Sequence, residues 1–480
     1  MSIAIRPQLL NRMHKRHHVR DNIIRIESRD KRHDLFQFIR RTMYWAAMYP
    51  MSLEHLLPQR IRYLSSFIEV FYELFLHLVC IHIVILYLCT FYLNNNSGDL
   101  ELLVNCMMQT IIYVWVIGMK LYFRRMNPRP LEELMKTMNL QYRTHSIKGF
   151  TYVTMEECLI MANKWIKTYV YSCFAGAVFW LIIPITYDDR SLPLSCWYPV
   201  DYKKPIIYEI IYFLQAVAQI QVAAAFSASS GLHMTLSILL SGQYDVLFCS
   251  LKNILANVAL RMQSTEQQLR KLYKLHEITS HDTNEFYCSK EKTLDVERLF
   301  DAQQLFVETS QDFRHNFRNV FKECIVHHWF ILDCLKSMER FYNPIWFLKT
   351  GQAILLLCLV AFVSVKSTTT NSSFLKNLSL GQYLFLVAWE FLVICYFGEM
   401  IFYNSQRCGE AILKSPWYLC VREIKNDLLL FLLRSYRPFK LTAGRMFALN
   451  IDWYRWVITT AFSFLTLLQN MDQRDVNVST

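Results

Sequence analysis

Seven apolar runs, each long enough to cross a bilayer, decide what this chain can fold into. They lie at about residues 67–93, 102–123, 166–185, 206–240, 345–365, 380–403 and 448–469. Twenty residues at about 1.5 Å each cover most of a hydrocarbon core roughly 30 Å thick. Lipid offers no partner to a free peptide group, so each run has to be helical. The fourth run exceeds the membrane thickness and is expected to tilt or to continue past the bilayer. Mean hydropathy over the 480 residues is only +0.17, so a large aqueous portion must accompany the spans. The expected fold is an all-α, polytopic seven-helix membrane protein with cytosolic helical extensions.

Charge orients the helices. The first 66 residues hold 13 Lys and Arg, the connection between the fourth and fifth spans 13, and that between the sixth and seventh 8. On the other side the first loop holds none, the third-to-fourth loop 3, the fifth-to-sixth 2 and the tail 1. Positive loops stay inside, which puts the N-terminus in the cytoplasm. The N-x-Ser/Thr sequons, at Asn95, Asn371, Asn377 and Asn477, all fall in segments this count places outside. Arg6, Arg12, Lys15, Arg16 and Arg20 interrupt the N-terminus before an apolar run forms, so the first span is expected to direct insertion.

The division that follows is a cytoplasmic N-terminal segment 1–66, spans one to four within 67–240, and a cytosolic helical connection 241–342. Spans five and six occupy 343–405, a cytosolic anchor helix 406–445, span seven 446–470 and an extracellular tail 471–480. An interfacial helix is expected between Tyr44 and Arg62, and Asn343-Pro344 reads as a turn. The face Glu69, Glu73, His77 of the first span should point into protein, and the stretch 279–292 reads as mobile. The net charge of +12 is spread along cytosolic segments, which suits anionic membrane lipid and not nucleic acid.

The last span is the most informative. At about 100° per residue Asp452, Arg455, Thr459, Ser463, Thr466 and Asn470 fall within roughly 80° of one another, with Gln469 beside them. Such a stripe must be hidden from lipid, against a neighbouring helix or a column of water. One helix cannot enclose a pore, so the second reading requires several copies around an axis.

No nucleotide loop, nucleophile elbow or zinc-protease motif occurs, so no enzyme is expected. Neither a metal nor another cofactor is expected: Cys324, His327, His328, Asp333 and Cys334 have no standard ligand spacing and suit helical packing. The 14 cysteines read as small hydrophobes or free thiols, with Cys196 the main candidate for oxidation outside. In the outer halves of the spans, Cys173, Gly176 and Trp180 share one face, with Phe179 and Ile183 nearby. Met108, Ile111 and Ile112 of the second span, Tyr212 and Phe213 of the fourth, and Tyr383 and Leu386 of the sixth complete an apolar, aromatic candidate pocket. Such a lining suits a small hydrophobic ligand, and equally serves ordinary bundle packing.

The C-terminal region resembles the insect odorant receptor family. The resemblance rests on Cys395-Tyr396-Phe397-Gly398-Glu399, Ser405, Ala411-Ile412 and Ser415-Pro416-Trp417. It continues in Leu441-Thr442-Ala443-Gly444, Phe447 and Ala461-Phe462-Ser463-Phe464-Leu465. It implies a ligand-gated, non-selective cation channel in the plasma membrane of sensory-neuron dendrites. A tuning subunit of this kind assembles with an odorant receptor co-receptor subunit into a heterotetramer whose seventh spans line the pore. Thr466 and Asn470 match the outer gate in that pattern. The related gustatory receptors carry a Thr-Tyr pair and a terminal Gln-Phe where this chain has Phe462-Ser463 and Gln469-Asn470, so that branch fits less well. A seven-span G-protein-coupled receptor would place the N-terminus outside, against both the charges and the sequons.

Overall fold

Helices that continue far beyond the apolar runs dominate the computed structural model. It describes residues 34–50, 62–94, 100–126, 128–147, 150–185, 191–252, 254–262, 280–283, 290–293, 311–369, 374–413, 415 and 417–479. In chain order the helices are α1 (Gln37–Trp45), α2 (Arg62–Asn94), α3 (Leu100–Leu121), α4 (Pro128–Gln141), α5 (Met155–Ile185) and α6 (Pro205–Lys252). There follow α7 (Ile254–Arg261), α8 (Gln311–Thr369), α9 (Phe374–Leu413), α10 (Val421–Ser435) and α11 (Ile451–Ser479). Three short antiparallel pairs join them: β1 (His145–Ile147) with β2 (Phe150–Thr154), β3 (Ser280–Thr283) with β4 (Lys290–Thr293), and β5 (Thr442–Ala443) with β6 (Phe447–Ala448). The stretch read as mobile thus carries the β3–β4 pair.

Helices α2, α3, α5, α6, α8 and α9 are each long and apolar enough to cross a membrane. The seventh helix, α11, is less apolar because of its polar stripe. Helix α6 lies centrally, packed by α5, α9, α8, α2, α1 and α3. From Val222 to Lys252 nearly every side chain of α6 is buried, which a helix enclosed on all sides requires. Small residues (Ala223–Ala225, Ser227–Gly231) let the neighbours approach it.

The interfacial helix expected between Tyr44 and Arg62 falls largely on residues 51–61, outside the described residues, and α1 precedes it. The start of α1 is tied to α4, where Asn139 Nδ2 donates to Asp34 Oδ1 at 2.9 Å and the Leu35 amide donates to Asn139 Oδ1 at 3.1 Å. Asn343-Pro344 is not a turn: α8 runs through it as one helix of 59 residues. Proline removes one helical hydrogen bond, and a tertiary clip holds the chain there. Asn343 Nδ2 donates to the Thr442 carbonyl at 2.7 Å, Thr442 Oγ1 donates to Glu339 Oε1 at 2.6 Å, and the Gly444 amide donates to the Asn343 carbonyl at 3.2 Å. Gly444 has φ 62°, and a β-carbon there would lie 2.6 Å from Phe347 Cδ2, so glycine is needed on both counts.

The Glu69, Glu73, His77 face does turn inward. A π-turn at Tyr122–Met126, after α3, brings Arg124 and Arg125 to it. Arg124 pairs with Glu69 at 2.5 Å and Arg125 with Glu73 at 3.1 Å, while His77 Nδ1 lies 2.7 Å from the Glu73 carbonyl.

Candidate functional site

A partly open cavity of about 80 Å³ lies between α5, α6 and α9. Each helix lends one stripe at three- and four-residue spacing. These are Tyr169, Cys173, Gly176, Ala177 and Trp180 from α5, Gln219, Val222, Ala223 and Phe226 from α6, and Ser379, Gln382, Tyr383, Leu386, Val387 and Glu390 from α9. Of the sequence-predicted residues the structure brings Cys173, Gly176, Trp180, Tyr383 and Leu386 together here. Met108, Ile111 and Ile112 instead pack in the core of the bundle, and Phe179 and Ile183 are half-buried outside the lining. Tyr212 spends its hydroxyl on the Leu181 carbonyl at 2.5 Å, and Phe213 is exposed on the outer face of α6. The Gly176 glycine makes room across the cavity: the nearest atoms to a β-carbon there are Gln382 Nε2 at 2.9 Å and Leu386 Cδ1 at 3.3 Å, not the Trp180 ring. Trp180 is held by its indole N–H, which donates to the Pro193 carbonyl at 3.1 Å.

The cavity is more polar than its sequence outline. At its inner end Glu390 Oε2 meets Lys349 Nζ of α8 at 2.7 Å, with both side chains buried, and Ser230 of α6 donates a short hydrogen bond to Glu390 Oε1. Lys349 Nζ also lies 4.3 Å from the centre of the Phe226 ring. A carboxylate buried in a membrane bundle demands such partners. Gln219 Oε1 accepts from Tyr113 at 3.1 Å, whereas Tyr383 Oη is buried with no hydrogen-bond partner among the described residues. The signal that sequence reasoning passed over was present: Lys349 and Glu390 are charges inside two apolar runs.

Above the bundle, the loop residue Cys196 is half-buried, and Gln215 Nε2 donates to its Sγ at 3.7 Å. Burial pushes its thiol up to about 12, so at neutral pH it is a protonated thiol. In the N-terminal half of α8, His327 Nε2 bonds Gln243 Oε1 at 2.8 Å, and His328 sits edge-on to Phe431 at 5.1 Å.

Helix α11 is positioned by its N-terminus. Asn450 Oδ1 accepts from the Trp453 amide at 2.8 Å as a helix cap, and Glu399 Oε2 from the Ile451 amide at 2.9 Å. Val457, Ala461 and Leu465, four residues apart, are buried on the side that packs on α8 and α9. The stripe lies elsewhere. Asp452, Arg455, Thr459, Ser463, Thr466 and Asn470 are exposed on the single chain, and Gln469 is half-buried. The hydroxyls bond back to their own helix, Thr459 to the Arg455 carbonyl at 2.9 Å and Thr466 to that of Ser463 at 2.8 Å. They are therefore not glue to neighbouring helices of the same chain. Of the sequons, Asn377 is half-exposed near the start of α9, while Asn95, Asn371 and the Asn477 side chain lie outside the described residues.

Residues 101–462 match the family model described as 7tm Odorant receptor. The chain belongs to the odorant receptor family. Among odorant receptors it is 50% identical over 451 residues to Odorant receptor 83a of Drosophila melanogaster, covering 94% of this chain and 98% of that one. It is 32% identical over 416 residues to Putative odorant receptor 85e of the same fly, covering 86% and 87%. The insect olfactory receptor OR5 from Machilis hrabei, solved in complex with eugenol, shares the fold with a TM-score of 0.65 at 15% identity, over 91% of this chain and 98% of that one. Odorant receptors are receptors and not enzymes, and the multi-pass helical membrane architecture is the family's. The family motif residues also acquire physical roles here: Glu399 caps α11, Ser405 Oγ accepts from the Phe439 amide at 3.0 Å, and Gly444 fits beneath Phe347.

Proposed function

We propose that this chain is the tuning subunit of a heteromeric, odorant-gated, non-selective cation channel. A small volatile binds in the cavity between α5, α6 and α9, and α11 lines a central pore formed with odorant receptor co-receptor subunits. The observation that carries the reading is the exposed polar stripe of α11, set back to back with the buried Val457, Ala461 and Leu465. A helix so divided satisfies its own chain on one side and leaves hydroxyls for a shared aqueous axis on the other. Helices α8 and α9 connect the two sites, since α9 lines the cavity and both pack on α11. The N-terminus is cytoplasmic, the protein lies in the plasma membrane of sensory-neuron dendrites, and the sequons face outside.

The test is ion current in cells expressing this chain with and without a co-receptor during exposure to a volatile panel. The expected result is odorant-evoked cation current that requires both subunits and is retuned by Gly176→Leu without loss of surface protein. Current that persists with the co-receptor alone, or identical dose–response curves in Gly176→Leu, would overturn the assignment.

A further inference from the structure

A pair of charges on α11 sits where lipid cannot receive it. Tyr454 of α11 stacks on Phe391 of α9, with ring centres 6.3 Å apart. Phe391 lies eleven residues after Leu380 and twelve before Tyr403, at the middle of the sixth apolar run. The first turn of α11 therefore stands near the level of the bilayer midplane and not at a membrane surface. Phe447, Trp453 and Trp456, stacked at 4.1 and 4.6 Å, brace that turn.

Asp452 and Arg455 flank Tyr454 in this turn. Their side chains meet at 3.6 Å and are 84% and 76% exposed on the single chain. Glu390, next to Phe391, shows the alternative at the same depth: it is buried against Lys349 at 2.7 Å and bonded by Ser230. A charge so deep has to face protein or water. The chain itself covers neither Asp452 nor Arg455. Both share the stripe of Thr459, Ser463 and Thr466, opposite the buried Val457, Ala461 and Leu465. The stripe thus carries two fixed charges deep in the membrane, with Arg455 about 4.5 Å nearer Thr459 along the helix than Asp452 is.

We propose that Arg455 is a specificity-determining residue of the permeation path, a fixed positive charge that holds back divalent cations relative to monovalent ones. The inference rests on the reading that α11 lines the pore. Repulsion scales with the charge of the ion, so a guanidinium beside the path raises the barrier for Ca²⁺ more than that for Na⁺. Asp452 moderates this charge without cancelling it, because the pair is exposed to water and its members are offset along the path. Loss of the guanidinium leaves the Asp452 carboxylate uncompensated, and a carboxylate is a hard oxygen ligand that draws Ca²⁺ in.

The experiment uses the full chain co-expressed with a co-receptor, a volatile panel to open the channel, and Na⁺ and Ca²⁺ as current carriers. Arg455→Lys, Arg455→Gln and Arg455→Glu change the charge stepwise at an exposed position, with reversal potential and surface protein measured for each. The expected Ca²⁺-to-Na⁺ permeability ratio is unchanged in Arg455→Lys, raised about twofold in Arg455→Gln and raised further in Arg455→Glu. A packing role would instead move Arg455→Lys and Arg455→Gln together. The same ratio in every variant overturns the inference, as does any order that does not follow charge. If Arg455→Glu fails to reach the surface, Arg455→Lys and Arg455→Gln decide. Thr466→Cys separates this failure from that of the pore reading. A flat series with conductance still altered by a thiol reagent at Thr466→Cys rejects the role of Arg455 alone, whereas a flat series with Thr466→Cys inert rejects the pore as well. Silence to the whole panel with both subunits at the surface sinks the odorant-gated reading and this inference with it.

Discussion

Gly398 on α9 and Leu449 just ahead of α11 meet backbone to backbone: a β-carbon at Gly398 would lie 2.5 Å from the Leu449 carbonyl oxygen. The next residue, Glu399, caps α11, so this contact sets where the last helix begins. A main-chain oxygen cannot swing aside as a side chain can. Gly398→Ala is therefore expected to cost about 1–3 kcal/mol through forced displacement of the α11 N-terminus. Gly381→Ala, where nothing lies within 4 Å of the added carbon, should cost far less. Thermal melting of the detergent-solubilised protein compares the two, and equal midpoints would refute the close approach.

The buried pair of Lys349 and Glu390 should respond unequally to single and double substitution. Lys349→Met strands a carboxylate among apolar neighbours and is expected to destabilise the bundle by about 3–5 kcal/mol. Lys349→Met with Glu390→Gln removes both charges and should recover most of that loss. The fraction of protein at the cell surface, with melting midpoints beside it, reads the difference. A double variant no better than the single would show that the charges are not each other's main partners.

Orientation has a direct check. An epitope at the N-terminus should stay hidden on intact cells, and one placed after Thr480 should be labelled without permeabilisation. Surface labelling of the N-terminal tag would reverse every inside and outside assignment.

Pore lining predicts that the exposed stripe is wet. A cysteine at Thr466 or Asn470 should react with a small charged thiol reagent applied from outside, faster in the presence of agonist. Asn470→Lys should lower cation current by about tenfold through repulsion in confined water, and shift relative permeabilities. The unaltered chain serves as control, because the native Cys196 thiol, held up at about 12 by burial, reacts slowly at neutral pH. If Asn470→Lys changes nothing, the stripe faces a protein neighbour in the assembly.

The helices and the α11 stripe were legible because lipid enforces them: a peptide group in hydrocarbon must be helical, and a hydroxyl there must be sheltered. A third of the cavity lining was legible for the same periodic reason, through Cys173, Gly176 and Trp180 of α5 and Tyr383 and Leu386 of α9. Met108, Ile112 and Phe213 fall outside the lining of this cavity because a helix face can be read from spacing, but which face a neighbour covers depends on crossing angles that one chain segment does not encode. Pro344 misled for another reason. Its missing hydrogen bond is a local fact, whereas the clip that holds the chain there, Asn343 bonded to Thr442, is supplied from 99 residues away. Lys349 and Glu390 were passed over although both are charges inside apolar runs, and only tertiary structure makes them partners.

The uninterrupted α8 has a mechanical consequence. Its 59 residues follow about 88 Å of continuous helix, with Lys349 beside the cavity and Gln311 at the far end. Pivoting this helix by about 3° around Lys349 would sweep Gln311 through about 3 Å, because roughly 57 Å of helix separates them. A displacement too small to notice beside Glu390 thus arrives at Gln311 at the scale of an atomic diameter, provided the Asn343–Thr442 clip keeps the helix from bending at Pro344.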